Sequence, residues 1–187
     1  MASVEPPTGT DRPAGGRPTS MRAAAPAIAM AIGFTSFGPL SAFILGSMAP
    51  LMRVDLGFST GQQGIAVAVF FLFAATGSAF VGRPSERLGA HRALRTGMTV
   101  TIVALGAMSL VRAWWQITVV LAFAGIAHAT LHVGSNLLLA RSVPSGRQGT
   151  AFGIKQASVP LATLIAGTVV SLTSGFDEGW RIASEAW

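Results

Sequence analysis

The hydrophobic residues of the chain are grouped into five long stretches that contain no charged side chain. These stretches are Ala23–Met52, Leu56–Gly82, Thr96–Val111, Ala113–Ala140 and Gln156–Phe176. A helix that crosses a bilayer needs about 20 mainly apolar residues, and four of the five stretches reach that length. Apolar and polar residues do not alternate within them, as they would in membrane-spanning strands. The pattern therefore predicts an all-α integral membrane protein.

Five transmembrane helices are predicted, at about 25–50, 62–82, 94–111, 115–139 and 151–172. The third stretch has only 16 uncharged residues, but its helix can extend past Arg95 and Arg112. Arginine side chains allow this extension because their charged ends reach the membrane interface. Five such stretches in a row argue against buried core helices of a soluble protein.

The composition also favours lipid as the solvent for most of the chain. Charged residues make up 11% of the sequence and the mean hydropathy is +0.58, whereas soluble domains carry about 25% charged residues. Residues 1–22 differ, because they are rich in Pro, Gly, Ser and Thr, and we predict a disordered cytoplasmic tail there. Residues 23–187 then form the five-span membrane part. The chain has no cysteine, which excludes disulfides and thiolate metal sites.

The cationic residues lie mainly on one side of the predicted spans. Ten of the 13 belong to the tail and to the loops after spans 2 and 4, and three to the other side. Cytoplasmic loops carry an excess of Lys and Arg, so the N-terminus is predicted in the cytoplasm, with the protein multi-pass in the cell (inner) membrane. The ten are Arg12, Arg17, Arg22, Arg83, Arg87, Arg92, Arg95, Arg141, Arg147 and Lys155.

The segment after span 2 carries a specific spacing of Gly, acid and Arg residues. It reads GRPSERLGAHR from Gly82 to Arg92, with Glu86 and Arg87 at its centre and Gly89 where a tight reversal needs a positive φ. This spacing resembles the signature loop between helices 2 and 3 of the major facilitator superfamily. The Pro144–Gly153 stretch is similar to that family's connection from helix 4 to helix 5, and Gly179-Trp180-Arg181 to its segment before helix 6.

The resemblance implies a truncated N-terminal bundle, the first half of a transporter that has about twelve spans in two six-helix halves. It also implies that Gly82, Glu86, Arg87, Gly89 and Arg92 are gating residues that latch one conformation. The chain departs from the family where Glu86 replaces the more usual Asp, and where span 4 carries His rather than Arg. It reaches only a stub after span 5, so a sixth helix is not expected within it.

Span 4 holds four polar residues on one helical face. His128, His132, Ser135 and Asn136 share that face because their spacing follows the 3.6-residue turn. Polar residues inside a membrane are costly and are functional candidates, and the resemblance directs this face to the central cavity. We predict a solute or proton site here. The alternative is that both His residues donate to carbonyls of neighbouring helices.

Further candidates lie in spans 1 and 5. Lys155 and Gln156 begin span 5, where the lysine is a cavity cation, a charge in the latch, or an interfacial anchor. Thr35 and Ser36 in span 1 suit either a cavity lining or helix packing. Pro160 is expected to bend span 5, because it removes a backbone donor. No metal site and no cofactor are expected, because neither an HExxH motif nor an acid in a span is present.

Three functions are compatible with the sequence, and the first is favoured. It is a secondary active transporter of a small solute by alternating access, incomplete as this chain. The second is a non-transporting truncated fragment, or one half of a two-chain carrier that a second chain or a C-terminal half completes. The third, a membrane-embedded enzyme, lacks clustered acids or a nucleophile, so no enzyme is predicted. The partners are the lipid bilayer and an unidentified small-molecule substrate, and no nucleic acid is expected.

Overall fold

A computed structural model describes residues 21–57 and 59–173, and within these ranges the chain is helical without strands. Residues 1–20, which hold most of the predicted tail, and residues 174–187, which hold Gly179-Trp180-Arg181, lie outside them. The helices are α1 (Met21–Phe37), α2 (Leu40–Leu56), α3 (Thr60–Leu88), α4 (Ala90–Ser109), α5 (Trp114–Ser142), α6 (Gln148–Gln156) and α7 (Ser158–Thr173). A short 3-10 turn, Ser145–Arg147, joins α5 to α6.

Local sequence signals fix both ends of α3. A capping box starts it, in which the Ser59 hydroxyl accepts from the Gln62 amide at 3.2 Å and the Gln62 side chain accepts from the Ser59 amide at 2.8 Å. Gly89 ends it with a φ of 84° and its amide donates to the Ser85 carbonyl. One residue thus separates α3 from α4, and the segment predicted as a loop from Gly82 is helical as far as Leu88.

Helix α5 forms the centre of the bundle and packs along α3, α4 and α1. Glycines allow close approach at two of these contacts. A Cβ on Gly125 would overlap the Phe70 carbonyl of α3, and a Cβ on Gly97 of α4 would lie 2.9 Å from the Leu131 side chain. Small residues at such positions let helix backbones come together. Helix α7 packs instead against α1 and α2.

Three buried clusters show that α3, α4 and α5 alternate in direction. The largest joins the starts of α3 and α5 to the end of α4 and to residues along α2. The other two join the start of α1 and α4 to the end of α5. The cations Arg22, Arg83, Arg87, Arg92, Arg95, Arg141, Arg147 and Lys155 therefore share one end of the bundle, whereas Arg53 and Arg112 belong to the other.

Within the residues that the structure describes, two helices, α3 and α5, are long and apolar enough to cross a membrane. The count rises to three if α1 and α2 are one span, since they are bent by 43° at Gly38 and Pro39. The structure divides the segment predicted as a span at 25–50 between α1 and α2, because Gly38 and Pro39 interrupt the helix. Helix α4 carries Arg92 and Arg95 in its first two turns, and the predicted fifth span is divided at Ala157 into α6 and the 16-residue α7.

Candidate solute site

A row of polar side chains follows one face of α5 from its middle towards its C-terminal end. The ring centroids of His128 and His132 are 6.0 Å apart. One turn further on, the Asn136 side-chain nitrogen lies 3.4 Å from Nδ1 of His132. His132 is exposed on the bundle surface, whereas His128 and Asn136 are partly buried. We call these three residues the α5 polar row.

Lys155 of α6 extends the row at its C-terminal end. Its Nζ donates to Oδ1 of Asn136 at 2.7 Å, and the residue is only 1% exposed. The turn between the helices brings the two residues together, because the Gln148 side chain donates to the Ala140 and Val143 carbonyls at 3.2 and 3.4 Å. Among the side chains that the structure describes, no carboxylate forms an ion pair with Lys155.

The contact of Lys155 with Asn136 sets the orientation of Asn136 and His132. An ammonium group only donates hydrogen bonds, so the Asn136 atom that faces Lys155 is the oxygen. The Asn136 nitrogen must then face His132 and donate to its Nδ1. A neutral imidazole whose Nδ1 accepts carries its proton on Nε2. The tautomer of His132 thus follows from the position of a lysine on another helix.

The other end of the row lies against the break between α1 and α2. Gly38 leaves room for the imidazole of His128, since a Cβ there would overlap the ring. The Phe70 ring of α3 lies 5.6 Å from that ring, centroid to centroid. Within the described part of the chain, Nδ1 of His128 is buried without a hydrogen-bond partner. The sequence did not indicate Gly38 and Phe70, although the Gly-Pro pair was a signal for the break.

The remaining candidates from spans 1 and 4 do not join the row. The hydroxyls of Thr35, Ser36 and Ser135 are buried and donate to carbonyls of their own helices; the Ser135 hydroxyl, for example, donates to the His132 carbonyl at 2.9 Å. Gln156 and Pro160 are both exposed, and Pro160 lies near the start of α7, after the break at Ala157.

The signature segment lies at the cation-rich end of the bundle. Glu86, Arg87 and Arg92 are exposed, and Gly82 is inside α3. No ion pair joins Glu86 to an arginine in the part of the chain that the structure describes. Glu86 and Asn136 line the same cavity of about 320 Å³, together with Phe152 of α6. The segment is therefore adjacent to the polar row.

Comparison with known proteins places this arrangement in a family. The family model described as Major Facilitator Superfamily matches residues 23–183. The chain belongs to this superfamily. The resemblance inferred from the signature segment is thus confirmed, and so is the expectation of a transport family. Superfamily membership also accounts for the apolar helices, which fit a multi-pass membrane protein.

Three curated relatives of this superfamily chain are transporters. It is 26% identical to a D-xylose transporter of Levilactobacillus brevis over 151 aligned residues. The aligned region is 81% of the chain and 33% of that protein. It is 27% identical to a cis,cis-muconate transport protein of Acinetobacter baylyi, over 70% of the chain and 32% of that protein. It is 24% identical to a hexuronate transporter of Bacillus subtilis, over 68% of the chain and 30% of that protein. The chain thus spans about a third of the length of these relatives.

Proposed function

We propose that these residues are the N-terminal part of a secondary active transporter that moves a small solute by alternating access. The observation that carries the proposal is the α5 polar row. It lies on the central helix of the bundle, and that helix is long and apolar enough to cross a membrane. Polar groups at membrane depth are rare because burying them costs free energy, and they mark substrate and ion pathways.

The exposed side of the row is the surface on which the solute binds. His132 is exposed here, yet a polar side chain facing lipid would lack hydrogen-bond partners. In two-halved transporters, binding occurs near the bilayer midplane at the interface between the halves. Further helices, in the same polypeptide or in a second chain, would therefore cover the row and complete the cavity.

The signature segment supplies the gate in this proposal. Glu86 and Arg87 are exposed at the cation-rich end, so they are free to contact the covering helices when the cavity closes. That end lies on the cytoplasmic side of the inner membrane, because Lys and Arg residues are in excess on that side. In this proposal the driving force is an ion gradient, which is what drives a secondary active transporter.

The relatives support a small polar solute. Their names refer to a pentose, a dicarboxylate and a sugar acid. An Asn, a His and a Lys side chain offer hydrogen bonds of the kind that bind hydroxyl or carboxylate groups.

Uptake by the complete protein tests this function. We expect proteoliposomes to take up at least one of D-xylose, cis,cis-muconate and a hexuronate down its gradient. His132→Leu should lower that uptake by about tenfold or more, because it removes a hydrogen bond made to the solute. Thr99→Leu on the exposed face of α4 is the matched control and should transport normally. No uptake of any of the three, or full uptake by His132→Leu, would contradict the proposal.

A further inference from the structure

We propose that Lys155, Asn136 and His132 form a binding site for the carboxylate group of an anionic solute. This inference rests on the proposed transport function and specifies its substrate class. The three side chains come from α5 and α6 and are joined by hydrogen bonds of 2.7 and 3.4 Å.

The free hydrogen-bonding capacity of this group consists mainly of donors. Lys155 has three N–H groups and uses one on Asn136. The Asn136 nitrogen has two and directs one to His132, whose Nε2 carries a further proton in the tautomer derived above. The Asn136 oxygen and Nδ1 of His132 each accept one of these hydrogen bonds, and the second lone pair of the amide oxygen is the one acceptor position left in the group. A carboxylate complements such a set, because it only accepts hydrogen bonds.

The charge of Lys155 points to the same class of ligand. A cation that is 1% exposed has lost most of its hydration, and its only charge-stabilising partner in the described ranges is a neutral amide. Burying a charge costs free energy unless an opposite charge lies close to it. A bound carboxylate would supply that charge, whereas a neutral sugar would not.

The other titratable groups near Lys155 do not neutralise its positive charge. His128 and His132 follow the row on α5 and cannot become negative. Glu86 is acidic and lines the cavity that Asn136 also lines, but it is exposed and makes no ion pair with Lys155 among the described residues. Water screens an exposed charge of this kind.

The same geometry argues against the row as a proton path from Lys155 to the histidines. The neutral amide of Asn136 lies between the ammonium group and His132. An amide nitrogen donates its protons but does not readily release them, so this link orients its neighbours rather than passing a proton. Asn136 therefore orients its neighbours and also donates a hydrogen bond to the carboxylate in this proposal.

Thermal unfolding of the complete protein with matched solutes tests the inference. D-glucuronate is compared with D-glucose, and adipate with its diol, each at about 10 mM, which is above common KM values. We expect at least one carboxylate to raise the Tm and its neutral counterpart not to. Lys155→Met should weaken that binding by about tenfold or more, since a charge-assisted hydrogen bond is lost. Lys155→Arg should retain part of it.

Two further variants keep the test decisive. Arg95→Met removes one cation from an exposed position of α4 and should leave the carboxylate effect unchanged. If Lys155→Met does not fold, His132→Leu replaces it, because that side chain is exposed. Stabilisation by the neutral partners alone, by no carboxylate, or equally in the Lys155 and His132 variants would overturn the site. Uptake of only neutral solutes would also overturn it while leaving the transport function intact.

Discussion

Gly125 allows α5 to pack closely against α3. A Cβ at this position would overlap the Phe70 carbonyl of α3 and lie 3.1 Å from the Ala74 amide nitrogen. Both are backbone atoms of a helix, so they cannot move aside as a flexible side chain could. The tolerance of this site for any side chain is therefore low.

We expect Gly125→Ala to destabilise the protein by about 1–3 kcal/mol, which is typical of overpacking. Gly106→Ala is the matched control, because a Cβ there has nothing within 4 Å and alanine favours a helix. Thermal unfolding of the two variants checks the prediction. An equal Tm for Gly125→Ala and the parent protein would show that α3 and α5 are not held this closely.

The α5 polar row was predictable at the residue scale only in part. His128, His132 and Asn136 share a face because of helical periodicity, which the sequence displays directly. The hydrogen bond from Lys155 was not predictable, since the two residues are 19 positions apart and meet only through the turn that Gln148 holds. Ser135 shows the opposite error, because a hydroxyl on the polar face can instead bond to its own helix.

At the scale of elements, the break between α1 and α2 lies beside His128. Pro39 stands at the start of α2 with φ −87° and ψ 0° and has no amide hydrogen. Gly38, next to it, makes room for the imidazole. The break thus produces the bend of 43° and also makes room for the end of the polar row at His128.

Pro39→Ala should straighten this element and lower transport. The substitution returns an amide donor to the backbone, so α1 and α2 can join as one helix. Because the chain has no cysteine, spin labels at Ala25→Cys and Ser47→Cys report the change as a longer mean distance. Pro26→Ala is the control, since Pro26 lies within α1 and causes no break. An unchanged distance in Pro39→Ala would show that the proline does not maintain the bend.

Hydropathy predicted where the helices lie but not where they are interrupted. Uncharged length shows how many residues can be buried in lipid, and it does not change at a glycine or a proline. The predicted first and fifth spans are therefore divided in the structure. The predicted second span ended at Gly82 because charged residues begin there, yet α3 continues to Leu88 because charges do not stop a helix. The backbone reversal occurs at Gly89, where φ is positive.

At the scale of the whole molecule, the packing brings eight cations of distant segments to one end of the bundle. The end of α5 meets the starts of α1 and α4 there in two buried clusters, and α3 ends at Leu88, directly before α4 begins. The opposite end has Arg53 and Arg112 among the described residues. Such a difference orients a membrane protein with its cationic end in the cytoplasm.

Single cysteines test that orientation directly, since the parent chain has none. Gly146→Cys lies in the turn between α5 and α6 at the cationic end, and Gly61→Cys lies in the first turn of α3 at the other end. Both glycines are exposed, and a Cβ at either position would have no neighbouring atom closer than 3.8 Å. We expect a membrane-impermeant maleimide to label Gly61→Cys in intact cells and to label Gly146→Cys only after the membrane is opened. Labelling of both in intact cells would indicate mixed orientations, and the reverse pattern would place the signature segment outside the cell, where it could not act as a cytoplasmic gate.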